Sequence, residues 1–122
     1  AIPLKVSAPF HSSLMLPAEE KLKCFFNEVS FKSNSIPYIA NVNATEFPSS
    51  TEPDTIRETL ISQVCGSVLW SQSIEGLSSE TKFIEVGPGK VLSGLNKKIN
   101  KDLKTYALDS DSSIDGLMEF LQ

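Results

Sequence analysis

Between residues 15 and 29, the apolar positions Met15, Ala18, Leu22, Phe25, Phe26 and Val29 recur three or four residues apart, and Glu19, Glu20, Lys21, Lys23 and Glu28 fill the other side. That spacing lines up one stripe on a 3.6-residue helix, so it predicts the longest amphipathic helix of the chain. Ser12 and Ser13 offer capping oxygens ahead of it, and Pro17 is tolerable only in a first helical turn. Leu4 to Ala8, closed by Pro9, is strand-like, and Ile36 to Val42 is a β-rich, almost uncharged run that predicts a buried strand with Pro37 at its start or on an edge. Phe47-Pro48-Ser49-Ser50 predicts a loop. Thr51-Glu52-Pro53-Asp54 then has the layout of a helix entry, with a capping hydroxyl, an early proline and acids in the first turn. Ile56, Leu60, Ile61 and Val64 give the helix that follows one apolar face, which Gly66-Ser67 interrupts.

Trp70, Ile74 and Leu77 predict another short helix before the turn region of residues 76–80. Phe83 to Val86 predicts a strand, Gly87-Pro88-Gly89 a tight turn needing glycine torsions, and Val91, Leu92, Leu95 and Ile99 the inner face of the next helix. Thr105 to Leu108 predicts the last strand. Ile114, Leu117, Met118 and Leu121 form a terminal helix after an Asp/Ser linker at 109–113. Strands separated by helices imply crossover connections, so the expected class is α/β, with a largely parallel sheet flanked by helices. A parallel sheet needs its central strands and cover on both faces, so a further N-terminal half is expected to pair with what is seen here.

Composition narrows the partners. The 122 residues are 40% hydrophobic and 21% charged, ordinary for one compact domain or part of a larger one. A net charge of −4 and a pI near 4.9 argue against nucleic acid or an anionic membrane as partner, because either demands a basic surface. No run approaches the ~20 apolar residues of a membrane span, and the N-terminus has no signal-peptide layout. Cys24 and Cys65, both within apolar patterns, read as buried free thiols in a reducing compartment. A cytoplasmic location is expected, or a plastid or mitochondrial one in a eukaryote.

The chemistry concentrates on His11, the only histidine. An imidazole can serve as a general base near neutral pH, yet the chain has no Gly-x-Ser-x-Gly elbow to supply a nucleophile. Gly87-Pro88-Gly89 is not a phosphate cradle, since it lacks the Walker spacing and the Lys-Ser/Thr pair.

The run Val6-Ser7-Ala8-Pro9-Phe10-His11-Ser12-x-Leu14-Met15-x-Pro17-Ala18 resembles the histidine motif of malonyl-CoA:acyl-carrier-protein transacylases and of the related acyltransferase domains of fatty-acid and polyketide synthases. Ile36-Pro37-x-x-x-Asn41-Val42, Gln63 followed by Val68-x-Trp70, and Glu85-Val86-Gly87-Pro88-Gly89-Lys90-Val91-Leu92-x-Gly94-Leu95 follow in the family's order. Together they cover nearly the whole chain. By that likeness, residues 1–122 are the C-terminal portion of an α/β-hydrolase-like acyltransferase subdomain, with the nucleophile-bearing N-terminal part and the ferredoxin-like subdomain outside the chain.

The resemblance implies an S-malonyltransferase of fatty-acid biosynthesis that moves malonyl from malonyl-CoA to the phosphopantetheine thiol of an acyl-carrier protein through a serine ester. It implies no cofactor and no metal. His11 would be the base, Ser7, Ala8, Pro9 and Phe10 would shape the adjacent wall, and the backbone carbonyl of Gln63 would orient the imidazole in place of a carboxylate. Phe10 also resembles the malonyl-type rather than the methylmalonyl-type pattern of synthase acyltransferases. The family's carboxylate-binding arginine has no counterpart, because the sole arginine, Arg57, falls on the solvated side of a helix. Lys97, Lys98, Lys101 and Lys104 fit ordinary solvation and a helix C-terminus, or a basic rim that docks the acidic carrier protein. Two alternatives stay open: a piece of a polyketide or multifunctional fatty-acid synthase, and a non-catalytic carrier-binding module. The terminal Leu-Gln without a linker favours a stand-alone enzyme, and retention of His11 and Gln63 argues against the non-catalytic reading.

Overall fold

A computed structural model describes residues 8–110 and 114–122, so the predicted strand over Leu4–Ala8, save Ala8, and the end of the predicted linker at 111–113 lie outside the described residues. The chain divides into two compact units, Ala1–Ser73 and Ile74–Gln122.

In the first unit, a 3-10 turn at Ser13–Met15 leads into α1 (Leu16–Phe26), with Pro17 in the first turn, where no amide donor is required, and Lys23 in the last. The periodicity extends this helix to Val29, but its hydrogen-bonding gives way to turns at Asn27, Glu28 and Val29. Phe26 then packs edge-on against Phe31, with ring centroids 5.0 Å apart. Strands β1 (Tyr38–Ala40) and β2 (Thr45–Phe47) form an antiparallel hairpin in the register Tyr38↔Phe47, and those two rings stack at 5.0 Å. The apolar run predicts a longer buried strand from Ile36. Ile36 is instead 74% exposed, and Ala40 is the buried position.

Asn34 staples the approach to the next helix. Its amide donates to the carbonyls of Ile36 and Pro48, and its oxygen accepts from the Thr51 N–H. Helix α2 (Pro53–Ser62) therefore begins one residue later than the sequence implies. Glu52 takes the N-cap position, while the Thr51 hydroxyl turns back to the Pro48 carbonyl at 2.7 Å. Arg57 pairs with Asp54 one turn earlier at 3.1 Å and is partly covered rather than fully solvated. A short helix, α3 (Trp70–Glu75), spans the boundary between the units.

The second unit is a strand–helix–strand–helix arrangement: β3 (Lys82–Val86), α4 (Val91–Ile99), β4 (Lys104–Leu108) and α5 (Ile114–Leu121). Strands β3 and β4 pair in parallel, Lys82↔Lys104 through Val86↔Leu108, with α4 against both and α5 against β4. The α/β class therefore holds, but a largely parallel sheet does not describe these residues. One strand pair is parallel and the other antiparallel, because residues 45–47 fold back on β1.

The β3–α4 junction follows the sequence closely. Gly87 (φ 137°) and Gly89 (φ 93°) occupy torsions that side chains resist. Glu85 then does the work of a cap: its carboxylate accepts from the Leu92 N–H (2.9 Å), the Ser93 N–H (2.8 Å) and the Ser93 hydroxyl (2.6 Å). Lys90, at the N-cap, makes no side-chain cap bond. Ser93 is thereby held on the covered side of α4.

Accordingly, Ser93, Asn96 and Ile99 form the covered side, with Asn96 buried at 2% exposure, while Val91 is 70% exposed and Leu92 and Leu95 are open as well. Of the predicted inner face, Ile99 is covered within these residues, while Val91, Leu92 and Leu95 are left open. Helix α5 likewise leaves apolar positions open. Ile114, Met118 and Leu121 are exposed, Leu117 is half-buried as its spacing predicts, and Phe120 adds an anchor, its ring 5.4 Å from that of Tyr106 and its centroid 5.7 Å from the Lys82 ammonium.

The three donors around Glu85 hold its carboxyl below the usual carboxylate range, the Ser93 hydroxyl contributing most and the Ser93 amide next. A depressed carboxyl stabilises the fold in full above the unfolded value of about 4.3, and that contribution fades as pH falls through the folded value. Glu85→Gln is expected to lower the melting temperature at pH 7, and the gap from wild type should close as pH falls below about 4. Thermal melts followed by circular dichroism test this, and an equal gap at pH 7 and pH 3 contradicts it.

Candidate functional site

His11 sits in the turn that leads into α1, with φ 58°, in the left-handed region. Histidine tolerates this region better than most residues, but it still costs of order 1–3 kcal/mol, so the neighbouring contacts must hold it. They do so on both sides. The Ser12 hydroxyl donates to the Pro9 carbonyl at 2.7 Å, and the Met15 amide donates to the Ser12 carbonyl at 3.0 Å.

The ring is fixed by its Nδ1 atom, which lies 3.1 Å from the Gln63 carbonyl oxygen and 3.0 Å from that of Gly66. A carbonyl oxygen can only accept, so Nδ1 carries the proton and shares it in a three-centre bond. In the neutral ring, Nε2 then holds the lone pair and can accept a proton. The Gln63 carbonyl lies at the end of α2, where backbone carbonyls run out of intrahelical partners, and the Gly66 carbonyl in the turn that follows. The imidazole bonds one from each.

Gln63 is the C-cap of α2, and its side chain is engaged as well: Oε1 accepts from the Asn41 N–H at 3.2 Å, just beyond β1. The Asn41 carbonyl in turn accepts from the Leu69 N–H at 2.8 Å. Gly66 closes the turn with its N–H on the Ser62 carbonyl at 2.9 Å. A Cβ at position 66 would overlap the Val42 side chain and lie 2.8 Å from the Ser62 carbonyl oxygen, so only glycine lets the turn approach Val42. His11, Asn41, Val42, Gln63, Gly66 and Ser67 line a cavity of about 170 Å³ at this point.

The structure brings together His11 and Gln63, 52 residues apart in sequence. Phe10 lies on the same turn as His11 and is 59% exposed. Lys97 and Lys98 close α4 and Lys101 follows it, all exposed, while Lys104 lies 3.9 Å from Glu80. Gly66 and Asn41 are the site residues whose roles the sequence did not assign. Gly66 registered only as a helix break, and the second carbonyl depends on a turn geometry that no motif encodes. Cys24 is exposed rather than buried, and Cys65 is half-buried. Burial, with Glu19 alongside, raises the Cys65 thiol above its ordinary value. Among the described residues, no group of three or more His, Cys, Asp or Glu side chains is placed to hold a metal, and no helix is long and apolar enough to cross a membrane.

No family model matches the chain. It is 47% identical over 124 residues to the malonyl CoA-acyl carrier protein transacylase of Bacillus subtilis (strain 168), an alignment that covers 100% of this chain and 38% of that protein. Among solved structures, it is similar to MCAT from Streptococcus pneumoniae, with a TM-score of 0.82 and 38% identity over 97% of this chain and 38% of that one. It is also similar to a malonyl-transacylase solved in complex with its type II PKS acyl-carrier protein, with a TM-score of 0.84 and 30% identity over 97% of this chain and 38% of that one. The chain thus spans little more than a third of the length of these relatives.

Gly66→Ala is expected to destabilise the protein by about 1–3 kcal/mol, the usual cost of forcing a methyl group into a filled space. Adding Val42→Ala should recover part of the loss. Urea denaturation of the single and double variants checks this, and a Gly66→Ala midpoint equal to wild type contradicts it.

Proposed function

We propose that this chain, similar along its length to malonyl CoA-acyl carrier protein transacylases, is the histidine-bearing portion of an S-malonyltransferase of fatty-acid biosynthesis. The observation that carries the reading is the Nδ1–H of His11 shared between two backbone carbonyls at 3.1 and 3.0 Å, which leaves Nε2 as a base.

The reaction runs in two transfers. A serine outside these 122 residues attacks the malonyl-CoA thioester carbonyl as Nε2 of His11 takes its proton, and the imidazolium returns that proton to the departing CoA sulfur. The pantetheine thiol of an acyl-carrier protein then gives its proton to His11 and attacks the malonyl ester. The C–O bond to serine breaks, and the serine oxygen recovers the proton. In both transfers, the Gln63 and Gly66 carbonyls stabilise the imidazolium through Nδ1–H, as the carboxylate does in a Ser-His-Asp triad. No metal or other cofactor enters, and Phe10 borders the malonyl group.

The remainder of the enzyme completes the α/β-hydrolase-like sheet and brings the ferredoxin-like subdomain. Two-stranded sheets support this, since a parallel pair is not stable without further strands and cover. So do the open apolar side chains of Val86 (77% exposed) and Val91 (70% exposed) beside the β3–α4 turn. A location in the cytoplasm, or in a plastid or mitochondrion of a eukaryote, suits such an enzyme.

Two predictions follow from this assignment. The full-length protein mixed with malonyl-CoA is expected to gain one malonyl adduct by intact mass. His11→Ala should slow that step by roughly 10²–10⁴-fold, the usual worth of a general base. An adduct formed at the wild-type rate by His11→Ala contradicts the role of His11, and one on the isolated 122-residue chain contradicts a nucleophile outside it. The exposed Lys97, Lys98 and Lys101 attract the acidic carrier protein to the complete enzyme. Charge reversal at Lys98 and Lys101 is expected to raise the KM for carrier protein about tenfold at low salt, equivalent to ~1.4 kcal/mol, without changing that for malonyl-CoA. An unchanged KM for carrier protein overturns the docking role.

A further inference from the structure

Any residue at position 63 would supply a backbone carbonyl, so the carbonyl does not explain a glutamine there. The side chain does a separate job. Its Oε1 accepts from the Asn41 N–H at 3.2 Å, while the carbonyl of the same residue takes the His11 proton at 3.1 Å. One residue thus ties the end of α2 to the β1–β2 loop with its side chain and to the imidazole with its backbone.

The surrounding contacts make this tie consequential. Gln63 lies at the C-cap, where α2 ends and the chain turns on the Gln63 N–H to Thr59 O, the Val64 N–H to Ile61 O and the Gly66 N–H to Ser62 O, at 3.2, 3.1 and 2.9 Å. Asn41 is a fixed reference on the other side, held by the Leu69 N–H at its carbonyl and continuous with buried Ala40. Gly66 presses against Val42, the residue after Asn41. The two-residue segment Asn41-Val42 therefore meets the α2 turn at both carbonyls that hold the imidazole, through a hydrogen bond at Gln63 and a packing contact at Gly66.

We propose that the Gln63 side chain is a positioning group for His11, setting the Gln63 and Gly66 carbonyls so that both converge on Nδ1. This rests on the reading of His11 as the base. Loss of the side-chain acceptor lets the carbonyls drift while leaving the groups that touch substrate in place, so the loss falls on kcat rather than on KM. A misplacement of about 1 Å in such a constellation costs up to about a hundredfold in rate.

The test uses the full-length protein with malonyl-CoA and carrier protein, with rates normalised to the fraction of enzyme that can be acylated. Gln63→Met, of similar length but without the acceptor, is expected to lower kcat roughly ten- to a hundredfold with KM for malonyl-CoA within about twofold of wild type. Gln63→Glu, which keeps an oxygen for the Asn41 N–H, is expected to recover kcat to within about threefold. A Gln63→Met enzyme at wild-type kcat overturns the proposal, as does a Gln63→Glu enzyme as impaired as Gln63→Met. Should Gln63→Met fail to fold, Gln63→Leu takes its place beside Gln63→Glu: a Leu variant at wild-type kcat, or a Glu variant as impaired as the Leu variant, overturns the positioning role. His11→Ala measured alongside separates the two levels, because full activity there removes the base itself, whereas an inactive His11→Ala beside an unaffected Gln63→Met removes only the positioning role.

Discussion

A single proton shared between two backbone carbonyls organises the first unit. Because Nδ1 of His11 donates to both Gln63 O and Gly66 O, the turn before α1 is tied to the far end of α2. The contact sustains a left-handed histidine that the isolated turn would not favour. It also gives a partner to the Gln63 carbonyl, which the end of α2 leaves without an intrahelical one. The same bonds that order the loop select the tautomer, so folding and chemistry are set together. A carboxylate in this place would add a charge to be desolvated, whereas two carbonyl dipoles hold the imidazole without one.

The hydrophobic pattern revealed the helices more fully than their orientations. Helices α1, α2, α3, α4 and α5 all fall where apolar spacing, early prolines and glycine turns place them. The faces of α4 and α5 follow only in part. Hydrophobicity alone puts Val91 and Leu95 inward, yet within these residues both lie open, while Glu85 reaches across the Gly87-Pro88-Gly89 turn to bond Ser93 on the covered side. Phe120, rather than Met118, anchors α5 because its ring finds Tyr106. Periodicity counts apolar residues. It cannot count specific bonds made from another element.

The site divides along a similar line. His11 stood out as the only histidine, but it took the family resemblance of its Pro-Phe-His-Ser run and of the downstream motifs to suggest a base, and Gln63 was legible only through that resemblance. Gly66 and Asn41 were not, since their contributions are a backbone carbonyl and a backbone amide, which every residue possesses. Residue identity matters there indirectly: glycine for the approach to Val42, glutamine for its side-chain oxygen. Strand β2 escaped notice for a related reason. Thr45-Glu46-Phe47 is too short to show alternation and is defined by its pairing with β1.

The central claim is that His11 presents Nε2 as a base because Nδ1 is the protonated nitrogen. A ¹⁵N–¹H multiple-bond correlation spectrum of the full-length protein at pH 9, with the His11 signals identified by their loss in His11→Ala, reads this directly. The account predicts the Nδ1–H tautomer as the dominant form, with Nε2 at the shift of an unprotonated nitrogen. A spectrum dominated by the Nε2–H tautomer, the form favoured by a free imidazole side chain in water, would contradict it.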